Sequence, residues 1–276
     1  MSHTGNASGN FGQQGIIRTQ QRLWTPDLVS PALWLDASDL STITIDTGVS
    51  EWRDKSGNNR HLSQSQSARR PTFNPLGLNN LPTVSALSAS QQWLSTNTNT
   101  SGFSGGSSLW AIIVCTMDSS TGSYGRLLSF GQVGLVDYTQ VPLTPFLIRD
   151  AVTNTIISYR NGGVLSGVNV PTSTPMLVGS TFDGTQNILY LNGTAGTPVN
   201  STGNFTSTPR LTLFWDQDPA FSSYWSGNCS ELILGSTPLT TVNRQLIKGY
   251  LAWKWKLNAN LPASHPFRTR PPLIGD

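Results

Sequence analysis

The chain is a succession of short β-prone runs closed by turn residues, and only one stretch carries a helical period. Residues 32–36 and 39–46 read as strands, the second with Ile43 and Ile45 on alternate positions, and Trp52 leads into the turn Ser56-Gly57-Asn58. Residues 81–84, 92–94, 124–130, 144–148 and 155–159 continue the series at the spacing of β-sandwiches. Residues 109–117 form an unbroken, β-branched apolar run, the pattern of a strand buried on both faces. Asp183-Gly184 joins 176–182 to 187–191 as a hairpin, Asn192-Gly193 closes the next, and 211–215 and 229–234 complete the set. Near the end, Thr240 or Thr241 can cap a helix with Val242, Leu246, Gly249/Tyr250 and Trp253 at three- and four-residue spacing. Lys248, Lys254 and Lys256 suit its C-terminal half, and Pro262 and Pro266 lie beyond its stop. The pattern predicts one all-β domain over residues 23–276, with a single helix against a sheet or sandwich end.

Composition narrows the function classes. Only 11% of the 276 residues are charged, which excludes a coiled coil or a charged disordered chain. The net charge is +3 with Lys and Arg scattered, so there is no basic stripe to follow phosphates and nucleic acid is not expected. Hydrophobic residues make up 37%, and the nine Trp, ten Phe and six Tyr supply large units for a core. The longest apolar run, residues 109–115, is far short of the ~20 needed to span a bilayer, so no membrane partner is expected. Cys115 and Cys229 are too few for a disulfide framework or structural zinc. They read as buried thiols, with a single bridge open if their strands are neighbours.

Residues 1–22 differ from the remainder. They are rich in Gly, Asn, Ser and Gln and lack a period of two or 3.6. They read as an extended arm whose anchoring side chains are Phe11, Ile16, Ile17, Arg18 and Arg22. Met1–Gly15 shows no basic start followed by an apolar stretch, so the expectation is synthesis in a host cytoplasm without a secretory signal.

Several motifs carry a family resemblance. Leu33-Trp34-Leu35-Asp36-Ala37-Ser38-Asp39 and Trp52-Arg53-Asp54-Lys55-Ser56-Gly57-Asn58 resemble the opening of concanavalin A-like (laminin G-like) jelly-roll domains, in versions that recur in bacteriophage and bacterial surface proteins. Asp183-Gly184 with Leu189-Tyr190-Leu191-Asn192-Gly193 is similar to the central hairpin of that family. Tyr224-Trp225-Ser226-Gly227 and Glu231-Leu232-Ile233-Leu234 look like its last sheet strand. The run from Leu246 to Trp255, ending in His265-Pro266-Phe267, resembles its closing helix and tail. The resemblance covers residues 32–267 in order and implies a jelly-roll sandwich of two antiparallel sheets. That fold hosts lectins, glucanases and structural modules, so it leaves function open.

The candidate sites follow from residue chemistry. Glucanases of this fold use Glu-x-Asp-x-x-Glu, since retaining hydrolysis needs two carboxyls ~5–5.5 Å apart. Glu51 and Glu231 are the only glutamates, and Leu232-Ile233 follows the second, so that motif is absent. An Asp216/Asp218 pair is the remote substitute. His3, His61 and His265 have no Gly-x-Ser-x-Gly partner, and His265 reads as a packing or capping residue. Trp215, Asp216, Asp218, Phe221 and Tyr224 gather aromatic faces and carboxylates in one segment, as a glycan site requires; packing of the sandwich is the competing role for Trp215 and Tyr224. Asp36, Asp39, Asp54 and Asn58 supply oxygens for a calcium ion of the kind laminin G-like domains often hold, against a simpler role in turn hydrogen bonds.

These readings give the expectation of a non-enzymatic, multi-copy virion protein of a bacteriophage. Its arm would dock on capsid or tail neighbours, and its jelly roll would be displayed outward as decoration, fibre or adhesin, with a cell-surface glycan as a further partner. A carbohydrate-binding module of a bacterial surface or catabolic system is the alternative.

Overall fold

The computed structural model describes residues 21–96, 108–118, 125–131, 146–151, 154–160, 164–200, 210–215 and 223–276. Within them two antiparallel sheets of nine strands each stack face to face. The first sheet runs Thr194–Ala195, Gln186–Leu191, Met176–Phe182, Leu109–Met117, Gly227–Gly235, Leu81–Ala86, Thr72–Leu78. Leu33–Asp36 pairs with the second half of Gly227–Gly235, and Val199–Asn200 with the start of Gln186–Leu191. The second sheet runs Val164–Asn169, Thr155–Arg160, Phe146–Ala151, Arg126–Gly131, Arg210–Leu213, Leu94–Thr96, Leu62–Ser63, Val49–Trp52, Ile43–Ile45. The strand order interleaves early and late segments, so the sandwich closes only when distant parts of the chain meet.

Leu109–Met117 is buried along its whole length. Alternation sends its side chains two ways. Ile113 and Cys115 enter the core between the sheets, with Leu35, Trp52, Phe130, Leu213, Trp225 and Leu232. Ile112 and Val114 point the other way, under Trp34, Trp110, Ile233 and the helix residues Leu246, Ile247, Leu251 and Trp255. The helix Thr241–Lys254 therefore makes a third layer and explains why an antiparallel strand is apolar on both faces. Each large side chain removed from water contributes roughly 1.5–3 kcal/mol, so two cores on one strand make it the structural spine.

The Thr240 hydroxyl accepts from the Asn243 amide at 3.1 Å and caps the helix. Its buried stripe is rotated from the one the spacing suggests: Val242 is 55% exposed, while Ile247 and Leu251, four apart, sit at the centre. At Gly249 the missing side chain lets Phe267 lie against the helix.

Cys115 and Cys229 are register partners on adjacent strands, both buried and both free thiols. Among the arm residues, Phe11, Ile16, Ile17 and Arg18 lie outside the described residues. Arg22 is tied to the end of the chain: its carbonyl accepts from Ile274, Leu23 bridges Leu273, and the Trp24 amide donates to Pro272. Among the described residues, no helix is long and apolar enough to cross a membrane.

Candidate functional site

Two clusters outside the ordinary core carry chemistry. The first lies where Arg210–Leu213 ends. Leu211 and Leu213 enter the core, and Phe214 then adopts φ 74°, a left-handed value that a bulky residue rarely takes. Such a conformation costs on the order of 1–3 kcal/mol and persists where the surroundings impose it. Here the Phe214 amide donates to the Leu127 carbonyl at 3.0 Å, and its carbonyl accepts from Trp225 at 3.0 Å. The bend delivers Trp215 onto Tyr224, the rings stacked at 5.1 Å and 13°. Trp93 leans against Trp215 at 5.2 Å. The Arg69 guanidinium donates to the Tyr224 hydroxyl at 3.2 Å, and the Trp93 amide donates to the Arg69 carbonyl. Gly125 permits this approach, since a side chain there would meet the Tyr224 carbonyl at 2.6 Å.

Of the expected glycan residues, the structure thus joins Trp215 and Tyr224, while Asp216, Asp218 and Phe221 lie outside the described residues. Tyr224 is largely buried; Trp215 and Trp93 are half-buried, and their indole N–H groups have no acceptor among the described residues. Trp93 and Arg69 were not legible as site residues, because they are brought in by strand pairing from over a hundred positions away. The cluster offers aromatic ring faces and a cation, while both indole N–H groups are buried.

The second cluster lies beneath the helix and contains the expected calcium residues. Asp36 and Asp39 both receive the Lys55 ammonium, at 2.8 and 2.9 Å. Asp54 accepts from the Trp34 and Ser56 amides on one oxygen, and from the Ser56 hydroxyl and Arg60 amide on the other. Asn58 directs its amide nitrogen at the Pro31 and Ala32 carbonyls. Calcium needs six to eight oxygens, whereas here an ammonium lies between two carboxylates and a turn uses the third. The four residues do not fit a shared cation. No group of three or more metal-ligating side chains occurs among the described residues. His61 and His265 each accept a backbone amide through Nδ1, from Asp54 and Phe267.

Four of the family-like motifs meet in this second cluster. Lys254 lies 2.7 Å from Asp36 Oδ1 and 2.7 Å from Glu231 Oε2. Trp34 and Trp255 donate their indole N–H to the two oxygens of Glu231 at 2.8 and 2.7 Å. Burial, aided by the Asp36 charge, raises the Glu231 carboxyl above its ordinary range despite Lys254. Burial also opposes the charge on Asp36, but Lys254, Lys55 and Ser38 outweigh it and hold its carboxyl below the usual range. The Glu231 carboxylate is fully buried and accepts from both indoles and Lys254.

No protein-family model matches the chain, and no curated protein matches it. Solved structures with the same arrangement include the binding domain of Paraclostridial Mosquitocidal Protein 1, with TM-score 0.55 and 9% identity over 79% of this chain and 52% of that one. Domain 4 of AbnA, an extracellular arabinanase from Geobacillus stearothermophilus, matches with TM-score 0.52 and 11% identity over 77% of this chain and 95% of that one. Trypanosoma rangeli sialidase matches with TM-score 0.51 and 10% identity over 78% of this chain and 32% of that one. The chain thus spans about half of the first, nearly all of the second and a third of the last. The fold is the concanavalin A-like jelly-roll sandwich. At such identities the likeness is one of fold.

Proposed function

We propose that the chain is a non-enzymatic, lectin-like display module that binds a glycan at the Trp93–Trp215–Tyr224 cluster. The observation that carries this is the strained Phe214 bend, which spends stability to hold Trp215 and Tyr224 as a stacked pair beside Arg69. Sugars present C–H faces to aromatic rings and acceptor oxygens to N–H groups, and the cluster sets the Trp93 and Trp215 rings beside the Arg69 guanidinium. The AbnA domain was solved in complex with arabinotriose, which is consistent with sugar binding on this fold. The non-enzymatic reading is supported by the missing glucanase motif and by Glu231, whose carboxylate is occupied by two indoles and a lysine. On a glycan array and by calorimetry, the full chain is expected to bind at least one glycan. Trp215→Ala or Tyr224→Ala should weaken that glycan about tenfold or more, since an aromatic stacking contact contributes on the order of 1–3 kcal/mol. An array with no hit removes the reading.

The place of display is a bacteriophage particle, with residues 1–22 as the anchor to capsid or tail neighbours. This reading rests on the distinct Gly-, Asn-, Ser- and Gln-rich composition of residues 1–22, which lead into a segment, Arg22–Trp24, paired with the C-terminal residues. Mass spectrometry of purified virions should find the protein. Deletion of residues 1–20 should abolish its incorporation while leaving its thermal unfolding unchanged, and an unaltered copy number would count against the anchor.

A further inference from the structure

We propose that Lys254 and Asp36 condense into an intramolecular isopeptide bond, with Glu231 carrying the proton and Lys55 polarising the carboxyl that is attacked. The proposal is independent of glycan binding. It rests on the convergence of four residues from four separate motifs, on Leu33–Asp36, the turn at Lys55, Gly227–Gly235 and the closing helix.

Amide formation from an amine and a carboxylate needs the two held together, a proton acceptor for the ammonium, a charge to draw electrons from the carboxyl, and little water. Each requirement has a group here. The Lys254 nitrogen sits 2.7 Å from Asp36 Oδ1, inside the range at which proximity replaces a bimolecular encounter. Glu231 Oε2 is 2.7 Å from the same nitrogen, and its side chain is fully buried and clamped by two indoles, so it cannot turn away. On the far side Lys55 places its ammonium 2.8 Å from Asp36 Oδ2, where negative charge grows as the carbonyl carbon becomes tetrahedral. Little water reaches the two carboxyls, and rings flank the part-exposed ammonium groups: Lys254 lies over Trp255 and Tyr250, and Lys55 over Trp34. Asp36 is 3% exposed. An ordinary ion pair between strand and helix would need neither the second carboxylate nor the second ammonium.

The steps balance without an outside reagent. Lys254 passes one ammonium proton to Glu231, and the freed amine lone pair bonds the Asp36 carboxyl carbon. Glu231 returns that proton to Oδ1, takes a second from the nitrogen and delivers it to the same oxygen, and the bond from Oδ1 to the carboxyl carbon breaks to release water. One N–H remains on the amide, and Glu231 regains its starting state. Burial favours this direction because two charges leave a low-dielectric site as a neutral amide. The water can exit along the apolar groove of ≈ 390 Å³ beside Lys254, lined by Leu23, Trp24, Tyr250 and Trp253. The product would tie the first strand of the sandwich to its closing helix.

The test is the intact mass of the purified full chain under denaturing conditions. The expected mass is one water below that of the sequence, with a branched tryptic fragment joining Asp36 to Lys254. Lys254→Arg and Asp36→Ala should restore the full sequence mass. Glu231→Gln, if it folds by circular dichroism, should show the link reduced at least tenfold. The wild-type mass decides even if no variant folds. An unshifted wild-type mass overturns the proposal, and a link to Glu231 in place of Asp36 overturns the roles assigned.

Discussion

Asp54 shows how a single side chain can hold a turn that looks like a ligand site. Its two oxygens accept from Trp34, Ser56 and Arg60, so the carboxylate ties the first strand to the Ser-Gly-Asn turn. Asp54→Ala leaves the buried Trp34 amide unpaired and should cost on the order of 1–3 kcal/mol, read as a lower urea midpoint at unchanged slope. Asp54→Asn should lose less, because its amide oxygen still accepts. The same geometry predicts that calcium or a chelator leaves the melting temperature unmoved, since only a cation bound by the native state would raise it. From sequence, an acidic residue two before Ser-Gly-Asn is equally compatible with a turn and with a metal. Only the directions of the hydrogen bonds separate the two.

At the scale of elements, strands with strong alternation or unbroken apolar runs were legible, residues 109–117 and 176–182 among them. Thr72–Leu78 was not, because it carries Pro75 and Gly77 and is mostly exposed, as an edge strand with a register shift can be. Val164–Asn169 had a usable signal in the sequence Asn161-Gly162-Gly163 before it, a composition that favours hairpin turns. Two-residue strands such as Leu62–Ser63 have no local signal, since their extended form is fixed by the neighbours they pair with. The helix supplies a pair of opposed predictions. Thr240→Ala removes the cap and should cost ~1 kcal/mol. Gly249→Ala would stabilise an exposed helix, yet here the added carbon meets Phe267 at 2.6 Å, so thermal melts should show a loss.

For the whole molecule, two buried or half-buried bases around the closing segment contribute to the response to pH. Burial, with Arg244 beside it, pushes the Lys248 ammonium down to about 7 from 10.5, although the Tyr190 ring 3.7 Å away favours the charge. Burial and nearby Lys248 lower His265 to about 4 from 6.5. In both windows the base concerned binds more protons in the unfolded chain than in the folded one, so its contribution to stability rises with pH across each. These two bases favour a rising melting temperature from about pH 4 to 6.5, against the raised Glu231, and again from about 7. Above about pH 9 the buried Cys115 and Cys229 thiols and then the Tyr250 hydroxyl, whose protons burial holds, turn it down. Lys248→Met should flatten the second rise and narrow the first, because the Lys248 charge helps lower His265; a second rise that persists in that variant would assign it to another group.

The amino-acid order by itself determined the all-β class, the single capped helix and the absence of a glucanase motif. Each of these is local: alternation, capping and the presence or absence of a carboxyl are read within a few residues. The family-like motifs were also visible, but as separate runs in which Asp36, Asp39 and Asp54 read as calcium ligands or turn residues and Lys55, Glu231 and Lys254 had no link to them. Only the tertiary structure decided that Asp36, Lys55, Glu231 and Lys254 share one buried site, and that Trp93 and Arg69 join Trp215 and Tyr224. The reason is that strand neighbours in this sandwich are far apart along the chain. Which side chains meet is therefore set by sheet register and by the layer beneath the helix.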